Sequence, residues 1–326
     1  MVDLHKRTTF SDREHGKFRA CCVVIACSTF ASFVQAADIN FEQPLSQHLI
    51  ADVSDDTSNS ASSVSNGDPS AIKLFISSGL KELLGHIPVS TANSFEAALS
   101  AQQLPDLFMS VDQEAVTEAV NNAFKTETFN KYLVQQLSTG MSTQAREYML
   151  AWYASPLGKR VKQAEIDNSL LTERARFDNY QVFLDHYPVE ADREAIIEKL
   201  DETMKSTESA MDMMGSIQVA FNLSLTRFMP VEHRLSRKEI LEMVAQSQEE
   251  LLSHYETKTK AVLLFTYQAL NDEDLARLNQ TLATDAGQEF VAAINTGIKK
   301  GMFAASLDLG DGLGVLLDAL PQNSGI

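Results

Sequence analysis

Cysteine is nearly missing from this chain. Of 326 residues only Cys21, Cys22 and Cys27 carry a thiol, and all three lie in the first 27 positions. The remainder can form no disulfide, no thiolate zinc site and no cysteine nucleophile. Strand signals, meaning Val/Ile/Thr alternation between turn residues, are also missing. Basic charge is scarce: 27 Lys and Arg stand against 44 Asp and Glu, a net charge of −17. Such a surface repels phosphates and anionic headgroups, which excludes nucleic acid and anionic membrane surfaces as partners. Nucleophile elbows, phosphate-cradling glycine loops and dinucleotide fingerprints do not occur, and no cofactor is expected. The whole chain is 44% hydrophobic and 22% charged, enough apolar material for a sizeable core.

The N-terminus reads as an export signal. Lys6, Arg7, Arg13, Lys17 and Arg19 precede an apolar run from Ala20 to Phe33, and Val34-Gln35-Ala36 places small residues at −3 and −1. A basic region, a short apolar helix and a small-residue site are what the export machinery and its peptidase need. The run of about 14 residues is short of the ~20 that span a bilayer. Residues 1–36 are therefore expected to be a signal peptide cleaved after Ala36, with lipidation at Cys27 (Val24-Ile25-Ala26-Cys27) as the minority alternative. Cleavage removes every cysteine and leaves 22 basic and 41 acidic side chains, a net of −19. The protein is expected in the periplasm or outside the cell.

Residues 37–70 include the stretch ADVSDDTSNSASSVSNGDPS, whose Ser, Asp, Asn and Gly content predicts a flexible linker. Beyond it apolar residues recur at spacings of 3 and 4, as in Met141, Ala145, Tyr148, Met149 and Trp152, in Leu157, Val161, Ala164, Leu171 and Ala175, and in Leu275, Leu278 and Leu282. Prolines sit at joints: Pro88, Pro105, Pro156, Pro188 and Pro230. The pattern predicts an all-α fold of packed amphipathic helices.

An internal duplication organises these helices. Leu83-Leu84-Gly85-His86-Ile87-Pro88-Val89 recurs as Met213-Met214-Gly215-Ser216-Ile217-Gln218-Val219, and the segment from Ser142 to Gly158 recurs from Asn271 to Gly287. Two helical repeats are expected, at 71–186 and 187–306, followed by a flexible C-terminal tail at 307–326. Each repeat carries a corner between helices. Ser142 and Asn271 suit N-caps, and Ser155-Pro156 and Thr284-Asp285 suit a cap followed by a first helical residue. Gly158 and Gly287 cost helix propensity and imply a close neighbour, for which Trp152, Tyr153 and Leu282 are the candidates. The corner residues Trp152, Tyr153, Ser155, Pro156, Gly158, Thr284 and Gly287 are the singled-out set, and their role is structural.

The first corner, WYASPLGK over Trp152–Lys159, resembles that of the exported bacterial family called domain of unknown function 2059, the likeness spanning about Phe124 to Glu173. The second copy departs from the pattern, with Asp285 for proline and Leu282 for the aromatic residue. The resemblance implies an exported helical protein and carries no chemistry.

Few residues offer chemistry. After processing, His48, His86, His186, His233 and His254 remain, none at helical ligand spacing. The glycine-rich stretch Asp308–Gly314 lacks an EF-hand's ligand spacing. Met204, Met211, Met213 and Met214 could serve a soft metal such as Cu(I), but core packing explains them more simply. Asp272-Glu273-Asp274 suits the start of a helix after Asn271. Asn222 and Asn279 head glycosylation sequons that a bacterial chain leaves bare. The expected function is a non-catalytic binding or interaction role in the bacterial envelope, with an apolar small ligand or an envelope protein as partner. The rival is a carboxylate-dependent hydrolase acting on envelope material, which needs two facing carboxylates. N-terminal sequencing of the exported protein should begin at Ala37; any other first residue refutes the cleavage site.

Overall fold

The computed structural model describes residues 68–100, 111–169, 172–229, 231 and 234–319. The expected signal peptide, Cys27 and nearly all of the expected linker lie outside the described residues. Helices dominate: α1 (Pro69–Ser77), α2 (Leu80–Leu84), α3 (Ile87–Ser100), α4 (Gln113–Ala123), α5 (Thr126–Thr139), α6 (Thr143–Ala154), α7 (Pro156–Asp167), α8 (Arg174–His186), α9 (Ala191–Met204), α10 (Ser206–Leu225), α11 (Arg237–Thr266), α12 (Asp272–Leu282) and α13 (Asp285–Asp318). A 3₁₀ turn, Thr226–Phe228, follows α10, and no strand occurs among the described residues. The fold is all-α.

The helix starts follow from their caps. Asp68 accepts from the Ser70 amide at 2.8 Å ahead of Pro69. Ser236 and Glu239 form a reciprocal capping box on α11. This cap and proline launch α1 at Pro69, inside the 37–70 stretch expected as linker. The stripe from Leu157 to Ala175 is not one helix: α7 ends at Asp167, and the Asn168 side-chain amide donates to the Thr266 carbonyl at 3.1 Å.

The 34-residue α13 is the spine, packed on α10, α5, α4, α6 and α12. Glycines let its neighbours approach. A Cβ at Gly297 would stand 2.6 Å from Leu133, one at Gly301 2.8 Å from Phe129, one at Gly310 2.6 Å from Ser224, and one at Gly314 2.0 Å from Phe228. Residues 307–318 are therefore no flexible tail. Leu309 and Leu313 are buried beside those glycines, and Asp311 accepts from the Ser224 hydroxyl and pairs with Arg227. Glycine here is a flat contact face, which composition alone reads as a loop. One apolar cluster runs from Ala71 to Leu313 through both halves.

Two buried or half-buried guanidinium groups close the helices that precede the corners. Arg146, 4% exposed, donates to the carbonyls of Leu137, Ser138 and Met141 at the end of α5 and pairs with Asp68 at 2.6 Å. Arg193 donates to the carbonyls of Tyr267 (3.0 Å) and Leu270 (3.1 Å) after α11 and pairs with Asp272 at 2.7 Å. Each satisfies carbonyls that a helix end leaves without partners, and places positive charge at the dipole's negative end. The strings Leu83–Val89 and Met213–Val219 sit in unlike structure: Gly85 caps the five-residue α2, whereas Gly215 lies inside the 20-residue α10.

Both corners are built alike. Ser155 accepts from the Gly158 amide at 3.0 Å, and Thr284 from the Gly287 amide at 3.1 Å. A Cβ would lie 2.1 Å from the Trp152 carbonyl oxygen at position 158 and 2.4 Å from that of Thr281 at position 287. The close neighbour is the backbone of the preceding helix, not a ring. Gly158→Ala and Gly287→Ala should each cost about 3 kcal/mol, since backbone cannot yield as a side chain does. Gly312→Ala, whose Cβ meets only Ala119 at 3.4 Å, should gain up to about 1 kcal/mol from helix propensity. Urea unfolding of the three variants checks the order.

Candidate functional site

The fold brings the two corners against each other. Arg160, on α7 just past the first corner, pairs with Asp274 on α12 at 2.5 Å. Glu289 of α13 accepts from the backbone amide of Ser142 at 2.6 Å, adding an acid to the start of α6. Tyr153 meets Trp152 edge-on with ring centroids 4.7 Å apart and Phe290 of α13 at 5.7 Å. Tyr153 thus faces the opposite corner, while Ser155, Pro156, Gly158, Thr284 and Gly287 serve the turns of their own helices.

Between the corners lies a cavity of about 50 Å³, room for one or two waters. Leu80, Leu83, Leu278, Leu282, Phe290 and Val291 make most of its wall, with Tyr153, Ser78, Asn295 and one acid, Glu165. The polar members are engaged: Ser78 donates to the Phe75 carbonyl at 3.3 Å, and the Asn295 amide to that of Met204 at 3.2 Å. The carboxyl group of Glu165 accepts from the Tyr267 hydroxyl at 2.8 Å. No Lys or Arg forms an ion pair with it among the described residues. Burial pushes its pKa up to about 7, against the opposing pull of the Tyr267 hydrogen bond. Burial, reinforced by the Glu165 charge, likewise lifts the Tyr153 phenol above its ordinary value.

Composition and motif gave no hint of Glu165. The signal was its position: it lies four residues beyond Val161, at the edge of the apolar stripe of α7, where a carboxylate does not belong unless it is neutral or partnered. Tyr267 follows the end of α11, and only the folded chain brings it to Glu165.

The other residues considered for chemistry disperse. Met213 and Met214 are buried, Met204 borders the cavity, and Met211 lines a different, surface groove. His86, His186 and His254 are exposed on separate helices or joints, and His48 and His233 lie outside the described residues. No group of three or more His, Cys, Asp or Glu side chains is placed to hold a metal among the described residues. No described helix is long and apolar enough to cross a membrane.

The groove measures about 420 Å³ and opens to solvent where α9, α10 and α11 meet. Its lining is Asp201, Glu202, Lys205, Thr207, Glu208, Met211, Asp212, Gln248 and Leu252. Lys205 takes a left-handed backbone conformation (φ 51°) between α9 and α10, and Asp201 caps α10 by accepting from Thr207 at 2.9 Å. Elsewhere, Val182 and Phe183 near the end of α8 and Tyr187 beyond it are at least half exposed, continuing a ring stack that starts at Tyr180.

Compared with protein-family models, curated proteins and solved structures, the chain matches none.

A lone carboxyl poised near neutrality in an apolar wall can take up and release a proton, and its linkage to folding has a definite sign. The folded state keeps a proton that the unfolded chain releases above the ordinary value of 4.5. Stability from this group therefore falls as pH rises from about 4.5 to about 7 and is level above that. The loss is at most about 3 kcal/mol. Glu165→Gln should remove this slope: the variant gains on the wild type between pH 5 and pH 8 in urea unfolding. Equal pH profiles for the two proteins would refute a proton-holding Glu165.

Proposed function

We propose that this chain is a non-catalytic interaction protein of the bacterial envelope, exported with its signal removed after Ala36. The observation that carries the reading is the space between the corners. At about 50 Å³, walled mainly by Leu and Phe side chains, it is far below the several hundred Å³ of sites that enclose small ligands. The larger groove, about 420 Å³, is open to solvent rather than enclosing, so recognition falls to the surface and to a macromolecular partner. The resemblance at Trp152–Lys159 and the basic-then-apolar N-terminus support the compartment. The matched corners support descent from a duplicated helical unit. The unlike settings of Gly85 and Gly215 count against extending that match along the whole of each half.

A carboxylate hydrolase is the second reading, favoured by the raised pKa of Glu165. Paired-carboxylate hydrolysis needs a second acid across a substrate-sized cleft. The wall around Glu165 has one acid and no such room.

Two assays on the mature chain decide between them. Immobilised protein should capture a defined envelope protein near one-to-one, and that partner, tagged in turn, should recapture the chain. Incubation with purified envelope glycan should release no product above that of Glu165→Gln. Glycan release abolished by Glu165→Gln would overturn the interaction reading, as would failure of reciprocal capture.

A further inference from the structure

The interaction reading leaves open which surface meets the partner, and the groove between α9, α10 and α11 supplies an answer. Its floor is apolar: Met211 is only partly covered, and Leu252 is 46% exposed on α11. Its rim is acidic, with Asp201, Glu202, Glu208 and Asp212 against Lys205. Three of these acids already have partners. Asp201 accepts from Thr207, Glu202 pairs with Lys199 at 2.7 Å, and Asp212 pairs with Lys299 at 3.2 Å. Glu208, exposed in the first turn of α10, forms no ion pair among the described residues. The bias extends beyond the rim: residues 190–212 hold eight Asp and Glu but three Lys and Arg. Glu190, Asp192 and Glu198 are also exposed.

Exposed apolar floor and acidic border together select their occupant. A purely polar cation would leave Met211 and Leu252 in water, and an acidic or neutral apolar segment would meet repulsion or uncompensated charge at the rim. A segment with one apolar face flanked by lysines or arginines satisfies both, in the helix-in-groove manner. The exposed rings at the end of α8 have no comparable charge pattern to identify what would cover them.

We infer that this groove docks a basic amphipathic segment of the partner protein, with its apolar side chains on Met211 and Leu252 and a cationic side chain at Glu208. The inference rests on the interaction reading above and is tested separately from it.

The probe is a labelled synthetic peptide of 14 residues, leucines at helical spacing and lysines between them, titrated onto the mature full-length chain at 0.15 M salt. The wild type should bind it, and Glu208→Lys and Leu252→Ser should each weaken binding about tenfold, the size of one desolvated contact. Glu114→Lys, the same charge change in the first turn of α4, should leave binding within about twofold if long-range charge contributes little at this salt. A peptide with serine for leucine should bind about tenfold more weakly. Helical circular dichroism verifies that each variant is folded. Absence of wild-type binding overturns the inference, as does equal weakening by Glu208→Lys and Glu114→Lys, the signature of diffuse attraction to an acidic protein. Equal binding of the serine peptide also overturns it. If the variants capture the envelope partner as the wild type does, the groove assignment falls and the interaction reading stands. If the peptide binds the groove but no partner is captured, the reverse holds.

Discussion

Close approach of α13 to its neighbours is the constraint from which the rest of this structure follows. Helix axes ordinarily lie 8–10 Å apart, and small residues at a crossing allow the lower end of that range. Gly297 and Gly301 receive Leu133 and Phe129 on one stretch of α13, and Gly310 and Gly314 receive Ser224 and Phe228 on another. Everything that packs on α5 and α10 is located by these contacts. Glycine in a helix interior costs about 1 kcal/mol apiece against alanine, and that expense is offset only by the side chains that reach the exposed backbone.

The corners depend on the same economy of space at a smaller scale. Each turns one helix into the next within one or two residues, so the third residue of the new helix rides on the last carbonyls of the old one. The two corners then face each other across Tyr153 and Phe290, held by Arg160–Asp274 at the rim. Glu165 is left half-buried as a by-product of that approach. Its hydrogen-bond donor is the Tyr267 hydroxyl, which stabilises a carboxylate less than a cation would.

Much of the architecture was legible before folding. Ser142, Ser155, Asn271 and Thr284 announce their helices because an N-cap is a local bargain between one side chain and one amide. The all-α class follows from spacing. The C-terminal helix reads as a tail because glycine carries opposite meanings in a loop and at a helix crossing, and only the partner side chain tells them apart. The site was hardest to see: Glu165 and Tyr267 are 102 residues apart, and the groove joins residues from three helices. Long-range juxtaposition leaves no periodic trace, so a stray acid at the edge of an apolar stripe was the sole sign available.

The spine's two sets of glycines stand apart by 13 residues from Gly297 to Gly310, about 20 Å along a helix. A rod gripped at two such points cannot slide at one and stay seated at the other. The axial position chosen where α13 meets α5 is therefore transmitted to where it meets α10. Two helices from distant parts of the chain share one register through a third, much as two gears on a single shaft keep a common phase.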